Sequence, residues 1–196
     1  MMPTATSMAS SDSPPAGGAA SAPFAAQPAA SGRTFEGVRF TTGYQLSDGL
    51  DLELRSLGLL RYKGLLRGFA AGLYLESGLA TSKALDDVAK RLELSYFVPI
   101  PGRLFGPAGK GALKKGLSRA GFAEVEDRVR QIDRAYVDVK AGDRYSLTYR
   151  PGEGTELAHN GRQLTVVDGA DFAAAYFAIW LGPSSIDRKL RRQLLA

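Results

Sequence analysis

Arg61 is the residue of this sequence best placed to do chemistry. It lies in the longest nearly apolar run of the chain, residues 58–76, GLLRYKGLLRGFAAGLYLE. An arginine that enters apolar ground must find an anion, and its planar fork suits a carboxylate or an enolate-like oxygen. The competing reading is an ordinary arginine at the start of a strand, its stem on apolar surface and its head in water. Other candidates are fewer. The chain has one histidine and no cysteine, which removes disulfides, thiolate metal sites, His-rich metal sites and any Ser-His-Asp triad that does not use His159. His159 precedes Asn160-Gly161 and is expected on an exposed turn. The stretch 106–111, GPAGKG, lacks the Gly-x4-Gly-Lys-Ser/Thr order of a phosphate loop. Glu124, Glu126 and Asp127 are acidic residues at the start of a helix, where the dipole favours them without catalysis. No metal and no cofactor is expected.

The elements that must position Arg61 follow from periodicity. Residues 69–75 are unbroken apolar, far short of the ~20 residues that span a bilayer. Glycines at 64, 68 and 72 make the run a poor helix, at roughly 1 kcal/mol each. It reads as a buried strand whose glycines mark bulges or close backbone approach. Residues 33–46 read as a first strand, and 50–55 alternate apolar and charged, as a strand with one wet face does. Residues 91–98 and the trio Tyr145, Leu147, Tyr149 alternate too, and Asn160-Gly161 marks a hairpin. Helices are predicted from Ser82 as N-cap with Leu85, Val88 and Ala89 on one face, over 108–121, over 122–140, from Asp171 as cap to Trp180, and over 186–195. Within 122–140 the apolar spacing runs Val125, Val129, Ile132, Tyr136. Hairpin-linked strands with helices between and after them give an α+β domain.

Composition agrees with one soluble domain: 196 residues, 44% hydrophobic and 23% charged. The domain is read as residues 33–196, a monomer. Residues 1–32 are mostly Ala, Ser, Pro, Gly and Thr with Asp12 as the single ionised side chain, and read as a disordered tail. They lack the basic start and continuous leucine-rich core of a signal peptide, although the run Ala25–Ala30 would suit the end of one. Periplasmic and cytoplasmic locations both stay open. A net charge of +5 favours anionic partners in general. The basic clusters at Lys110, Lys114, Lys115, Arg119 and at Arg188, Lys189, Arg191, Arg192 fit solvated helix faces. No nucleic-acid-binding motif is present, and neither a nucleic-acid partner nor stable membrane insertion is expected.

The order of several short patterns carries a resemblance. Gly58-Leu59-Leu60-Arg61 is followed by Ala71-Gly72-Leu73-Tyr74-Leu75-Glu76, then Gly142-Asp143-Arg144-Tyr145, then Tyr149 to Thr155, then Asn160-Gly161, then Asp171-Phe172 through Trp180-Leu181-Gly182. Over roughly residues 34–196 the chain resembles the chalcone isomerase fold family, and within it the bacterial chalcone isomerase-like proteins. The resemblance implies a curved antiparallel β-sheet with helices layered on one face, an open-faced sandwich, and a ligand cleft between the two layers. It also implies a role for Arg61: in plant chalcone isomerases the matching arginine steers a phenolate and the developing enolate while a phenol oxygen adds to an unsaturated ketone. The match to Arg61 contains a gap, and a gapless count back from Gly72 lands on Leu57.

Three other positions depart from the plant pattern. Phe69 stands for a threonine, Phe105 for the catalytic tyrosine and Ala112 for an asparagine, and each loss removes a hydrogen-bonding group. A cleft with Arg61 at one end, lined by Phe69, Ala71, Ile100 and Phe105, suits an apolar body with one anionic head, a fatty acid better than a polyphenol. The expectation is therefore a non-catalytic protein that binds a small apolar carboxylate. An isomerase (intramolecular lyase) of the chalcone-to-flavanone type is the alternative, and a scaffold with no ligand is the third reading.

Overall fold

The computed structural model describes residues 24–62 and 65–196. Residues 1–23, Lys63 and Gly64 lie outside them. Among the described residues ten strands and four helices follow in the order β1 (Ala26–Pro28), β2 (Gly32–Phe35), β3 (Val38–Thr41), β4 (Gly43–Leu46), β5 (Asp51–Tyr62), β6 (Leu66–Glu76), β7 (Lys90–Tyr96), α1 (Phe105–Gly116), α2 (Arg119–Ala135), β8 (Arg144–Arg150), β9 (Gly154–His159), β10 (Arg162–Val167), α3 (Ala170–Leu181) and α4 (Arg188–Leu194). Eight strands form one antiparallel sheet in the order β1-β4-β5-β6-β7-β8-β9-β10, while β2 and β3 pair as a separate hairpin. This is the expected α+β architecture, a curved antiparallel sheet with the helices gathered on one face.

Alternation along the strands sorts the two faces. Phe69, Ala71, Leu73 and Leu75 of β6, Leu92, Leu94 and Tyr96 of β7, and Tyr145, Leu147 and Tyr149 of β8 face the helices. They pack with Phe122, Val125, Val129 and Ile132 of α2 and with eight of the twelve residues of α3. The opposite face carries Tyr74, Arg91, Glu93, Thr148 and Glu156, all buried. The β2–β3 hairpin lies over it. Phe40 packs so close over Gly72 that a Cβ there would stand 2.9 Å from its ring, and the Tyr74 hydroxyl donates to the Thr41 carbonyl at 3.2 Å. The buried charges are paired: Glu93 accepts from the Tyr44 hydroxyl at 2.5 Å and meets both Arg144 and Arg91. Arg91 in turn donates to Thr148.

Several local expectations are corrected. The single strand expected over 33–46 is three, because Glu36 and Gly37 both take positive φ, 51° and 82°, and fold the chain back in a two-residue turn. The helix expected from Ser82 is one 3-10 turn, Thr81–Lys83. Buried Lys90 holds the following loop instead, donating to the carbonyls of Ala84 and Asp86. The two helices expected to meet near 121 meet at Ser118, whose side chain accepts from the Gly121 amide as N-cap. Helix α2 stops at Ala135, and Tyr136 is already extended. Gly169 rather than Asp171 stands at the cap of α3; Asp171 accepts from Arg128 in a bidentate pair. Strand pairing also begins before residue 33: β1 pairs with β4 inside the stretch expected as a tail, and Phe24 is buried.

Candidate functional site

A cavity of about 230 Å³ lies between the sheet and the helices. Phe69, Leu94 and Tyr96 form its sheet wall. Phe105, Ala108 and Gly109 of α1 form a second wall, with Ile100 and Leu104 from the segment before it. Tyr136, just past α2, and Tyr176, Ile179 and Trp180 of α3 close the rest, with Ile186 at the rim. The exposed side chains of Leu104 and Ile186 mark the mouth. Local sequence explains why the space stays open. Gly109 contributes no side chain, and a Cβ there would only reach ordinary contact with Ile179, at 3.5 Å. The 3-10 turn Gly102–Leu104 is held by the Gly102 amide donating to Asp138 at 2.7 Å, and it fixes where α1 starts.

Aromatic rings dominate the walls. Phe105 stacks on Tyr136 with centroids 4.9 Å apart and meets Tyr96 edge-on at 5.7 Å. Tyr96 also meets Phe69 edge-on at 5.6 Å, and Tyr176 meets Trp180 at 6.0 Å. No lining residue is charged. The polar atoms are three phenol hydroxyls and one indole N–H. The hydroxyls of Tyr136 and Tyr176 bond each other at 2.8 Å. Burial pushes the phenols of Tyr96, Tyr136 and Tyr176 above their ordinary value, so all three keep their protons and remain donors. Asp133, one turn before Tyr136, adds to that rise for Tyr136 and Tyr176 and is itself paired with Lys110 at 3.1 Å. Burial likewise raises the Asp133 carboxyl.

The structure brings together three of the five expected ligand residues: Phe69, Ile100 and Phe105 line the cavity. Ala71 faces the helices but is fully buried in the core behind the wall. Arg61 is not at the cavity. Leu60 stands opposite Phe69 in the ladder and packs into the core, so alternation turns Arg61 to the other face, where it is 3.9 Å from Glu36 of the β2–β3 turn. The register shifts at this point. Arg67, opposite Arg61 beyond the shift, meets Glu36 as well, at 3.7 Å. Leu57, the gapless alternative, pairs with Gly72 further along β5 and does not line the cavity either. Ala112 is buried on α1, outside the wall.

His159 is half-buried rather than exposed, with its Nε2 3.4 Å from Asp143 and its ring against Tyr145. Among the described residues no group of three or more His, Asp or Glu side chains could hold a metal ion, and no helix is long and apolar enough to cross a membrane. Sequence reading missed Tyr96, Tyr136, Tyr176 and Trp180 as site residues. Tyr96 and Tyr136 sat in strand and helix patterns that looked like core alone. The apolar-all-round pattern of α3 gave no hint which side faced a cavity.

A curved antiparallel sheet, helices on one face and an apolar cavity between the two layers define the architecture. The profile of the chalcone isomerase-like family matches residues 32–196, and the chain belongs to that family. No curated protein matches the sequence significantly. Among solved structures the chain is similar to the fatty-acid binding protein AtFAP1 of Arabidopsis thaliana, at 15% identity with a TM-score of 0.65, over 84% of this chain and 96% of that one. That likeness shows the fold.

Proposed function

We propose that this chain is a binding protein that holds one small, mostly apolar molecule of the fatty-acid class in the cavity and does no chemistry on it. The observation that carries this is the wall itself: aromatic and aliphatic side chains from sheet and helices, with no charged group among them. The fatty-acid binding named for AtFAP1 supports the choice of ligand class. Phe69, Phe105 and Ala112, at the positions of the threonine, tyrosine and asparagine of plant chalcone isomerases, support binding over catalysis, because none can donate a hydrogen bond to a developing enolate. At ~30 Å³ per water-sized group, 230 Å³ holds roughly eight non-hydrogen atoms. A chain of about eight carbons fits whole, and a longer one would project between Leu104 and Ile186.

Native mass spectrometry of the full chain tests the reading. The expected result is one aliphatic molecule retained per chain, or taken up at one-to-one stoichiometry from added octanoic acid, 2-octanone or octane. Retention of none, with no saturable uptake of any of the three, would rule out the binding reading.

A further inference from the structure

The cavity's donors point to the kind of head group it takes, an inference that rests on the binding reading above. Neither the Tyr96 hydroxyl nor the Trp180 indole N–H has a hydrogen-bond partner among the described residues, and neither atom is sealed inside the core. Both residues line the cavity, so the partner each lacks is one that a ligand can supply. The Tyr136–Tyr176 bond uses one of that pair's two hydroxyl protons and leaves the other free. The three hydroxyls sit close enough to feel one another's charge, and Phe105 lies between Tyr96 and Tyr136. One region of the wall therefore offers several neutral donors around a shared space.

No cation lines the cavity, and Arg103, on the turn beside Leu104, stands exposed outside its wall. Lys110 is held by Asp133. Arg61 and Arg67 both turn to Glu36 on the other face of the sheet, and Arg91 and Arg144 are committed to Glu93 there. The carboxyl nearest the tyrosine pair, Asp133, repels an anion. A carboxylate taken out of water without a counter-charge is disfavoured far more than a neutral carbonyl that gains hydrogen bonds. We propose that this cavity selects an apolar molecule with an uncharged oxygen head, such as a ketone, aldehyde, ester or un-ionised acid, bound by Tyr96, the Tyr136–Tyr176 pair and Trp180, and that it excludes the carboxylate.

The test uses three ligands with one chain length, octane, 2-octanone and octanoic acid, titrated into the full protein. Trp180 is the chain's single tryptophan, so its emission reports the cavity directly. At pH 8 the ketone should bind at least tenfold tighter than the acid. Ketone affinity should change little between pH 8 and pH 6, while acid affinity should rise about tenfold per pH unit, because the un-ionised fraction does so well above a carboxyl pKa of ~4.3. Tyr96→Phe and Tyr176→Phe should each weaken the ketone several-fold and leave octane unchanged, which separates a lost donor from a damaged fold. Lys110→Met should change none of the three.

Octanoate binding at pH 8 as tight as the ketone would overturn the head-group assignment and leave the binding reading standing, as would carboxylate binding abolished by Lys110→Met. Failure of all three ligands to bind would instead strike the binding reading itself.

Discussion

Gly109→Leu should exchange ligand binding for stability. Gly109 lies inside α1 with its absent Cβ directed at Ile179 across the cavity wall, 3.5 Å from the nearest atom. Replacing glycine by leucine in a helix interior gains ~0.8 kcal/mol from backbone propensity. Burying the side chain adds ~1.5–3 kcal/mol, from which rotamer restriction takes ~0.5–1 kcal/mol and any displacement of Ile179 a further ~1 kcal/mol. The net is a gain of ~1–2 kcal/mol, or ~3–8 °C in Tm for a domain of this size. Four added carbons occupy roughly half of the ~30 Å³ units that the cavity offers. A bound aliphatic chain loses about four buried carbons at ~0.8 kcal/mol each, so its Kd should rise by roughly two orders of magnitude.

Gly111→Leu is the control: a Cβ there meets nothing within 4 Å, so the variant should keep the propensity gain and bind normally. Thermal melts and octanoic acid or 2-octanone titrations on the three proteins read both quantities. If Gly109→Leu is more stable and binds as wild type does, the ligand sits elsewhere. If its Tm falls by more than ~4 °C, the space beside Ile179 is not free and the volume argument fails.

Arg61→Ala should change ligand affinity by less than twofold and stability by less than ~0.5 kcal/mol, because its contact to Glu36 is long and exposed; a tenfold loss of affinity would return the residue to the site. The protein should not accelerate chalcone cyclisation, which absorbance at the enone band would detect. Glu156 is buried on the outer face, and burial lifts its carboxyl to about 7 against the attraction of Arg91. Its folded-state pKa exceeds the unfolded one, so the folded chain holds the extra proton and stability falls as pH rises from ~4.5 through 7, by at most ~3 kcal/mol from this group. Glu156→Gln should therefore match wild type near pH 4 and exceed it by ~1–3 kcal/mol at pH 8 in urea unfolding; equal pH profiles would contradict the assignment. Gly169→Ala should cost at least ~2 kcal/mol, since Gly169 has φ +104° and an added Cβ would strike Arg128; a melt unchanged from wild type would refute that.

What could be read from the sequence, and what could not, follows from how much of each strand is covered. The glycines of the central run carried their meaning openly: Gly68 lies where the β5–β6 register shifts, and Gly72 is the seat of Phe40. Asn160-Gly161 gave the hairpin, both residues taking positive φ. Phe69, Ile100 and Phe105 were legible as cavity residues through the family pattern. Arg61 was misplaced because β5 and β6 are covered on both faces here; an apolar run such as Leu59-Leu60 then holds no alternation to reveal which residue faces the helices. Glu36 hid a turn because glutamate seldom adopts positive φ. Tyr136 continued the helical spacing of α2 by one residue beyond its end, and so read as core rather than as the wall of a site.

The most direct measurement follows the Trp180 indole N–H resonance of the 15N-labelled full chain while 2-octanone is added, in wild type and in Gly109→Leu. The proposed function predicts one indole signal that moves saturably in wild type, with a hydrogen-bonded downfield shift, and stays in place in the variant. An indole signal that does not move while the ligand binds, or that moves equally in both proteins, would contradict a cavity bounded by Phe69, Phe105, Tyr136 and Trp180 as the place where this protein holds its ligand.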